Sequence, residues 1–212
     1  MSVEKVLQTI KENNIEWVDF RFVDLSGRVH HISLPASEVD EETFVNGVAF
    51  DGSSIPGFRG IEESDMVMMP DPESCYIDPF TAHPTLNIMS NIYTPEGDAY
   101  ERDPRGIAAR AEQYLQEAGI GTAAFFAPES EFFLFDEVRY ESSMNSSSYF
   151  VDSEEAHWNT NRKEEGGNLG FKVGVKGGYV PVAPVDTQQD IRSEMCRLLD
   201  EAGLRVERHH HE

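Results

Sequence analysis

Cysteine is nearly absent: the chain has two, Cys75 and Cys196, far apart and outside any ligand-like spacing. That excludes a disulfide framework and leaves two ordinary thiols of a reducing compartment. No run of about 18 apolar residues occurs, so no membrane span is expected. The opening Met-Ser-Val-Glu-Lys-Val has neither an apolar core nor a small-residue cleavage site. A secretory leader is therefore not expected, and the expected location is cytoplasmic. Positive charge is scarce, with 17 Lys and Arg against 39 Asp and Glu and a net charge of -22. A surface this acidic repels nucleic-acid phosphates and anionic membranes, so neither is an expected partner. It is compatible with good solubility and equally with a site that collects divalent cations; charge alone does not choose. No Gly-rich phosphate loop of the Walker or dinucleotide type is present.

What is there is enough for a folded core. Hydrophobic residues make up 39% of 212, sufficient for one large domain or two small ones. Val3, Val6, Leu7 and Ile10 recur at helical spacing, with Ser2 placed to cap. Over residues 17–24, Val18, Phe20 and Phe22 alternate with polar neighbours. Leu25-Ser26-Gly27 is a turn signal and residues 29–34 read as a second strand, giving a helix followed by a hairpin. Shorter segments follow at 44–50, 75–78 and 85–93, so residues 1–100 read as a small α+β domain with a mixed sheet. Asp103-Pro104 opens a helix with a capping acid and Pro at the first helical position. Ile107, Ala111, Tyr114, Leu115 and Ala118 line one face, and Gly119 ends it. Residues 122–135 read as a strand. Residues 137–185 show no strong periodicity and read as a long loop. Asp186-Thr187-Gln188-Gln189 resembles a capping box before a helix carrying Ile191, Met195, Leu198, Leu199 and Ala202. Residues 204–212 alternate like a strand.

The strongest local chemistry lies in Pro128-Glu129-Ser130-Glu131, followed by Phe132-Phe133-Leu134-Phe135. On a strand Glu129 and Glu131 share a face, roughly 6.6 Å apart. Adjacent carboxylates repel and are costly to bury, so a core position demands a facing cation, for which oxygen ligands suit Mg²⁺ or Mn²⁺. The alternative is a half-exposed strand with a solvated acidic face. The segment Glu207-Arg208-His209-His210-His211-Glu212 places His210 and Glu212 on one face of a strand and Glu207, His209 and His211 on the other. Either set could ligate a metal. Three histidines followed by Glu, led in by a strand-like run, read as native sequence and not as an engineered tag. Phe50-Asp51-Gly52-Ser53-Ser54 is turn chemistry presenting one carboxylate and two hydroxyls. Lys176-Gly177-Gly178-Tyr179 is a glycine-rich bend ending in an aromatic.

Taken together, these pieces are specific. Residues 50–54, Glu63-Ser64-Asp65-Met66, Arg102-Asp103-Pro104-Arg105, residues 129–136, Lys176-Gly177-Gly178-Tyr179, Asp190-Ile191-Arg192-Ser193-Glu194-Met195 and His209-His210-His211-Glu212 stand in one order. In that order the chain resembles bacterial type I glutamine synthetase from residue 3 to 212. The stretch 137–175, with Trp158-Asn159 and Glu165-Gly166-Gly167-Asn168, resembles the subgroup with an extra segment there.

The resemblance implies an α+β chain: an N-terminal β-grasp domain at 1–100, then at 101–212 the first part of an α/β catalytic domain with a curved antiparallel sheet. It implies a dodecamer of two hexameric rings whose active sites lie between neighbouring subunits. It implies ligation of ammonia to glutamate through γ-glutamyl phosphate, with ATP as substrate and two divalent ions, Mg²⁺ or Mn²⁺, serving the phosphoryl transfer. Glu131 matches a ligand of one ion, and Glu129 and Glu212 match ligands of the other. Glu207 and His210 fall where the family meets the nucleotide. Asp51, Ser54, Tyr179 and Glu212 match the ammonium pocket, with Asp51 taking the proton. Val180 departs from the family, which has Phe there. The family chain is more than twice as long, so this chain is expected to end within the catalytic domain and to be inactive alone. The competing expectations are a short non-catalytic assembly or regulatory module, and a ligase for a different amine. The intact 51–54 loop favours ammonia over bulky amines.

Overall fold

A computed structural model of the chain describes residues 1–159, 165, 167, 168 and 170–212. Gly166, within the segment assigned to a family subgroup, lies outside them. The chain divides into two compact units, Met1–Phe126 and Ala127–Glu212.

The first unit is built on a six-stranded mixed sheet. Helix α1 (Val3–Glu12) starts where expected, with Ser2 Oγ accepting from Lys5 N–H at 3.4 Å. It is followed by the hairpin β1 (Trp17–Val23) and β2 (Val29–Pro35), antiparallel with Val23 opposite Val29. Helix α2 (Glu41–Asn46) is closed by a capping box between Asp40 and Thr43. Then come β3 (Val48–Asp51), β4 (Asp65–Pro70), β5 (Tyr76–Ile77) and β6 (Thr85–Tyr93). The spatial order is β2-β1-β6-β4-β3, with β5 also on β6. Only the β1–β6 pairing is parallel.

Period-two alternation on β1 decides the two faces. Val18, Phe20 and Phe22 point into a core shared with Val6 and Ile10 of α1, Met66 and Met68 of β4, and Leu86, Ile88 and Ile92 of β6. On β1, Asp19 and Arg21 alternate with these core residues and so take the opposite face. Arg21 Nη2 pairs with Asp78 at 3.0 Å and reaches Asp19 at 3.4 Å, and its Nη1 donates to Tyr76 Oη at 3.0 Å. Asp19 also accepts from Ser33 Oγ at 2.5 Å and meets His31 Nδ1 at 2.9 Å. Asp19 is buried and Arg21 and Asp78 are half-buried, and all three are paired and hydrogen-bonded, the condition under which burial is tolerable. Asp103 links the sheet to helix α3 (Pro104–Glu117): its two carboxylate oxygens accept from Ile92 N–H at 3.0 Å and Arg105 N–H at 3.1 Å.

Residues 122–135 form neither helix nor strand. The expected strand is absent because a strand exists only through its ladder, and no described segment pairs with it. Phe125 and Phe126 are 96% and 90% exposed where a core was expected.

In the second unit, the stretch read as a long loop contains a hairpin, β7 (Glu137–Ser142) and β8 (Ser147–Asp152), with Tyr140 opposite Tyr149. Both tyrosines are exposed, so the hairpin carries no buried-face alternation by which it could have been read. Helix α4 (Gln189–Glu201) forms as expected but without the capping box. Asp186 pairs with Arg192, at 2.5 and 3.1 Å, and its Oδ1 also accepts from Gln188 N–H at 3.1 Å. Among the described residues, the alternating segment 204–212 pairs with no strand. Among the described residues of this unit, no hydrophobic side chain is buried; the buried ones are Asp152, Asn159 and Asp186.

Candidate functional site

The 51–54 loop leaves the sheet at the end of β3, where Asp51 lies opposite Asp65 of β4. Gly52 N–H donates to Ser64 O at 2.6 Å. A Cβ on Gly52 would lie 2.4 Å from Met66 Sδ, so a larger residue there would require the buried Met66 side chain to shift. The loop then turns back on Asp51. Its Oδ1 accepts from Ser53 N–H at 2.8 Å and Ser53 Oγ at 2.6 Å, and its Oδ2 accepts from Ser54 Oγ at 2.9 Å. Those bonds, the Ser53 hydroxyl first, hold the carboxyl below the ordinary carboxylate range. The result is an exposed, ionised carboxylate in a fixed orientation, flanked by two hydroxyls. Further along, Tyr100 Oη donates to Phe58 O at 2.6 Å and Arg102 Nη1 to Gly57 O at 3.0 Å, anchoring the loop's far end.

In the second unit the glycine bend and the histidine segment close on one another. His211 Nδ1 donates to Gly178 O at 2.6 Å, and Val180 N–H donates to His211 O at 3.1 Å. A Cβ on Gly178 would lie 2.9 Å from His211 Cε1 and 3.0 Å from Glu212 O. Lys176 and Val180 flank the bend at φ 60° and 48°. For a β-branched residue such as Val180 that is a strained conformation. The contact brings three sequence-predicted residues into one corner. Tyr179 and His210 meet edge to face with ring centroids 5.5 Å apart, and His210 Nδ1 lies 3.6 Å from Glu212 Oε2.

The three histidines serve three different contacts. His209 meets Arg192 Nε and Ser193 Oγ, each at 3.3 Å. His210 packs on Tyr179. His211 Nε2 pairs with Glu155 Oε2 at 2.9 Å. Sequence reasoning did not find Glu155, since the segment around it has no periodicity, and it read Asp186 as a cap.

Glu155, Asp186 and His211 bring their ligand atoms within 4.8 Å of one another, a metal-sized cluster. Its protons argue for an ion-pair network. Both acceptors facing His211 are oxygens without hydrogen, Gly178 O and Glu155 Oε2, so both ring nitrogens carry protons. Burial alone would lower the His211 pKa; the bonds to Glu155 and Gly178 outweigh it and raise it. Glu155 Oε1 is taken by Thr187 N–H and Oγ1, at 3.1 and 2.5 Å, and Asp186 is held by Arg192. A cation would have to displace a proton and an arginine.

The metal set read from the sequence is placed differently. Glu129 and Glu131 are exposed on the unpaired segment, and Glu207 is exposed on 204–212. Among the described residues, Glu129, Glu131 and Glu212 are not gathered into one ligand cluster. Their oxygen chemistry suits Mg²⁺ or Mn²⁺, but their arrangement does not yet make a site.

A β-grasp-like sheet presenting an acidic loop, followed by a unit with an acid- and histidine-rich corner, defines an α+β class. Residues 14–95 match the model of the "Glutamine synthetase, beta-Grasp domain" and residues 101–212 that of the "Glutamine synthetase, catalytic domain". The chain belongs to the glutamine synthetase family, carrying its β-grasp region and part of its catalytic domain. It is 53% identical over 211 residues to a glutamine synthetase of Azotobacter vinelandii, covering 99% of this chain and 45% of the relative. It is 54% identical over 213 residues to that of Vibrio cholerae serotype O1, covering 100% and 45%. A relative in Cupriavidus pinatubonensis named 3-hydroxylaminophenol mutase is 51% identical over 212 residues, again covering 100% and 45%. The chain thus spans about half the length of the curated relatives it matches. In structure it is similar to glutamine synthetase of Plasmodium falciparum, with a TM-score of 0.83 at 24% identity over 100% of this chain and 42% of that one. That likeness shows the fold, a curled half-barrel sheet; among the described residues, the 122–135 and 204–212 segments of this chain pair with no strand.

Proposed function

We propose that the chain forms part of an ATP-dependent glutamate–ammonia ligase, which makes glutamine, ADP and phosphate through γ-glutamyl phosphate. A mutase relative at 51% identity means that overall similarity does not carry the substrate. The observation that carries the reading is the 51–54 loop: an exposed carboxylate, kept ionised and oriented by Ser53 and Ser54. A fixed anion on a loop is what a small cation such as ammonium needs, and an ionised carboxylate can accept the proton ammonium must lose before it attacks.

In this reading the 51–54 loop reaches into a neighbouring subunit's site, where Asp51 binds ammonium and takes its proton and Ser54 helps hold it; Tyr179 and Glu212 form walls of the site in their own subunit. Glu207 and His210 meet the nucleotide. Glu129, Glu131 and Glu212 are the ligands for Mg²⁺ or Mn²⁺ once brought together. Because they are not gathered in the chain as folded, no step is assigned to the ions. The domain boundary is placed near residue 100, in the gap between the two family matches, while the first compact unit runs on through α3 to Phe126. The complete enzyme is a cytoplasmic dodecamer, and this chain alone turns nothing over. For the membrane, the observation is that no helix among the described residues is long and apolar enough to cross one.

The test is a chimera in which residues 1–212 replace the matched part of the Vibrio cholerae enzyme. It should release phosphate in a reaction dependent on ammonia and glutamate. Asp51→Ala should lower kcat/KM for ammonia by roughly 10²-fold or more, the scale of losing one electrostatic group, while ATP affinity stays within about twofold. An inactive chimera, or an equal loss of ATP affinity, would refute the assignment.

A further inference from the structure

The contacts of residues 209–212 sort into two sets. His209 and His211 are anchored: His209 meets Arg192 and Ser193 of α4, and a ring nitrogen of His211 lies within 4.8 Å of the Asp186 carboxylate that Arg192 holds. His210 and Glu212 are presented: both are exposed, and His210 packs on the exposed Tyr179 ring. Side chains one residue apart on an extended chain point to opposite sides, so whatever fixes the ring of His211 also aims its two neighbours.

His211 joins the glycine bend through Nδ1, which donates to Gly178 O at 2.6 Å, and through its own carbonyl, which accepts from Val180 N–H at 3.1 Å. A ring held at one nitrogen can still swing. The second point is Nε2, which Glu155 Oε2 takes at 2.9 Å. Glu155 is itself fixed. Its Oε1 accepts from Thr187 N–H at 3.1 Å and Thr187 Oγ1 at 2.5 Å. On either side of it, Glu154 N–H donates to Asp136 Oδ2 at 2.6 Å and Ala156 bridges to Val173. The bend needs such support. Lys176 and Val180 sit at φ 60° and 48°, and a conformation of that kind persists only where its surroundings over-determine it.

We propose that Glu155 is a positioning residue for the ammonium pocket. By holding His211 it keeps Gly178 against the histidine segment, and so keeps Tyr179 and Glu212 in one corner. The inference rests on the ligase reading, in which those two residues are walls of the pocket. Glu155 touches no reacting atom and acts through His211. Ammonium is small, so a wall displaced by about an ångström no longer encloses it.

The test has two arms. The first uses the chimera of residues 1–212 with the Vibrio cholerae enzyme. There Glu155→Ala should raise KM for ammonia roughly tenfold or more, while kcat stays within about threefold. Glu155→Gln should keep KM within about threefold of the parent. Its amide oxygen still accepts from His211 Nε2, its NH₂ group donates to Thr187 Oγ1, and the N–H of the exposed Thr187 turns to water. A residue that only supported the fold would lower kcat through lost active enzyme and leave KM unchanged. The second arm reads the 212-residue chain by nuclear magnetic resonance. The hydrogen-bonded Nε2 proton of His211 and the Tyr179–His210 Overhauser contact should persist with Gln and disappear with Ala. An Ala variant with parental KM, a Gln variant as impaired as Ala, or a fall in kcat alone would overturn the proposal. A chimera that does not use ammonia whichever residue stands at 155 defeats the ligase reading. The second arm then decides the clamp: loss of the Tyr179–His210 contact in the Ala variant sustains it, and an unchanged contact overturns it.

Discussion

Replacing Asp103 by Ala should destabilise the first unit by more than any surface change. Asp103 is 2% exposed and does two jobs with one carboxylate. Oδ1 accepts from Arg105 N–H at 3.1 Å, capping α3, and Oδ2 accepts from Ile92 N–H at 3.0 Å, at the end of β6. Losing an N-cap costs about 0.5–2 kcal/mol. Orphaning a buried donor such as Ile92 N–H costs about 1–3 kcal/mol. The two groups share one residue, so the sum, about 1.5–5 kcal/mol, is the expected loss. At about 1.4 kcal/mol per tenfold, the openly unfolded population rises roughly 10- to 4000-fold. The assay is amide exchange of β1 and β6 in low denaturant, which reads the opening of this unit regardless of the other. Asp103→Asn should fall between parent and Ala, because Asn caps well and keeps one acceptor oxygen while turning an amide donor toward the other N–H. An Ala variant that changes exchange less than tenfold, or an Asn variant as damaging as Ala, would refute this account of the link between sheet and helix.

Two further outcomes follow from the geometry. Burial alone pushes the Asp78 carboxyl up, but bonds from Asn87 Nδ2, Phe80 N–H and Arg21 outweigh it and set its pKa below the ordinary 3.8. The stability it contributes is therefore complete above the unfolded value and is lost as pH falls through the lower folded value. An acid titration of unfolding should show the gap between parent and Asp78→Asn constant at neutral pH and closing below about pH 4; a gap that widens there would contradict the sign. Gly178→Ala should separate the bend from the histidine segment, because its Cβ would meet His211 Cε1 at 2.9 Å. Loss of the nuclear Overhauser contact between Tyr179 and His210, and of the hydrogen-bonded Nδ1 proton of His211, is the expected readout; an unchanged spectrum would count against it.

Local chemistry was legible wherever one element could satisfy itself. Ser2 and Asp103-Pro104 marked helix starts, and Val18, Phe20 and Phe22 marked a strand with a buried face, because caps and periodicity act over a few residues. The order of short motifs from residue 50 to 212 was legible too, and it identified the family that the domain matches establish. The hairpin β7–β8 was not legible, since its tyrosines face outward on both strands.

Pairings between distant residues belonged to the tertiary structure alone. Thr187 stands beside a cap-like Asp186 in sequence and is bound by Glu155, 32 residues away, in space. His211 looks like a metal ligand and carries two protons committed to Gly178 and Glu155. Residues 122–135 have the composition of a core strand, but a strand is a relation between two segments, and composition cannot supply the second. The sequence by itself determined which side chains could become a core or a metal site. Only the tertiary structure decided that Tyr179, His210 and Glu212 meet while Glu129, Glu131 and Glu212 do not yet gather, because distances between segments far apart in sequence are set by what packs between them.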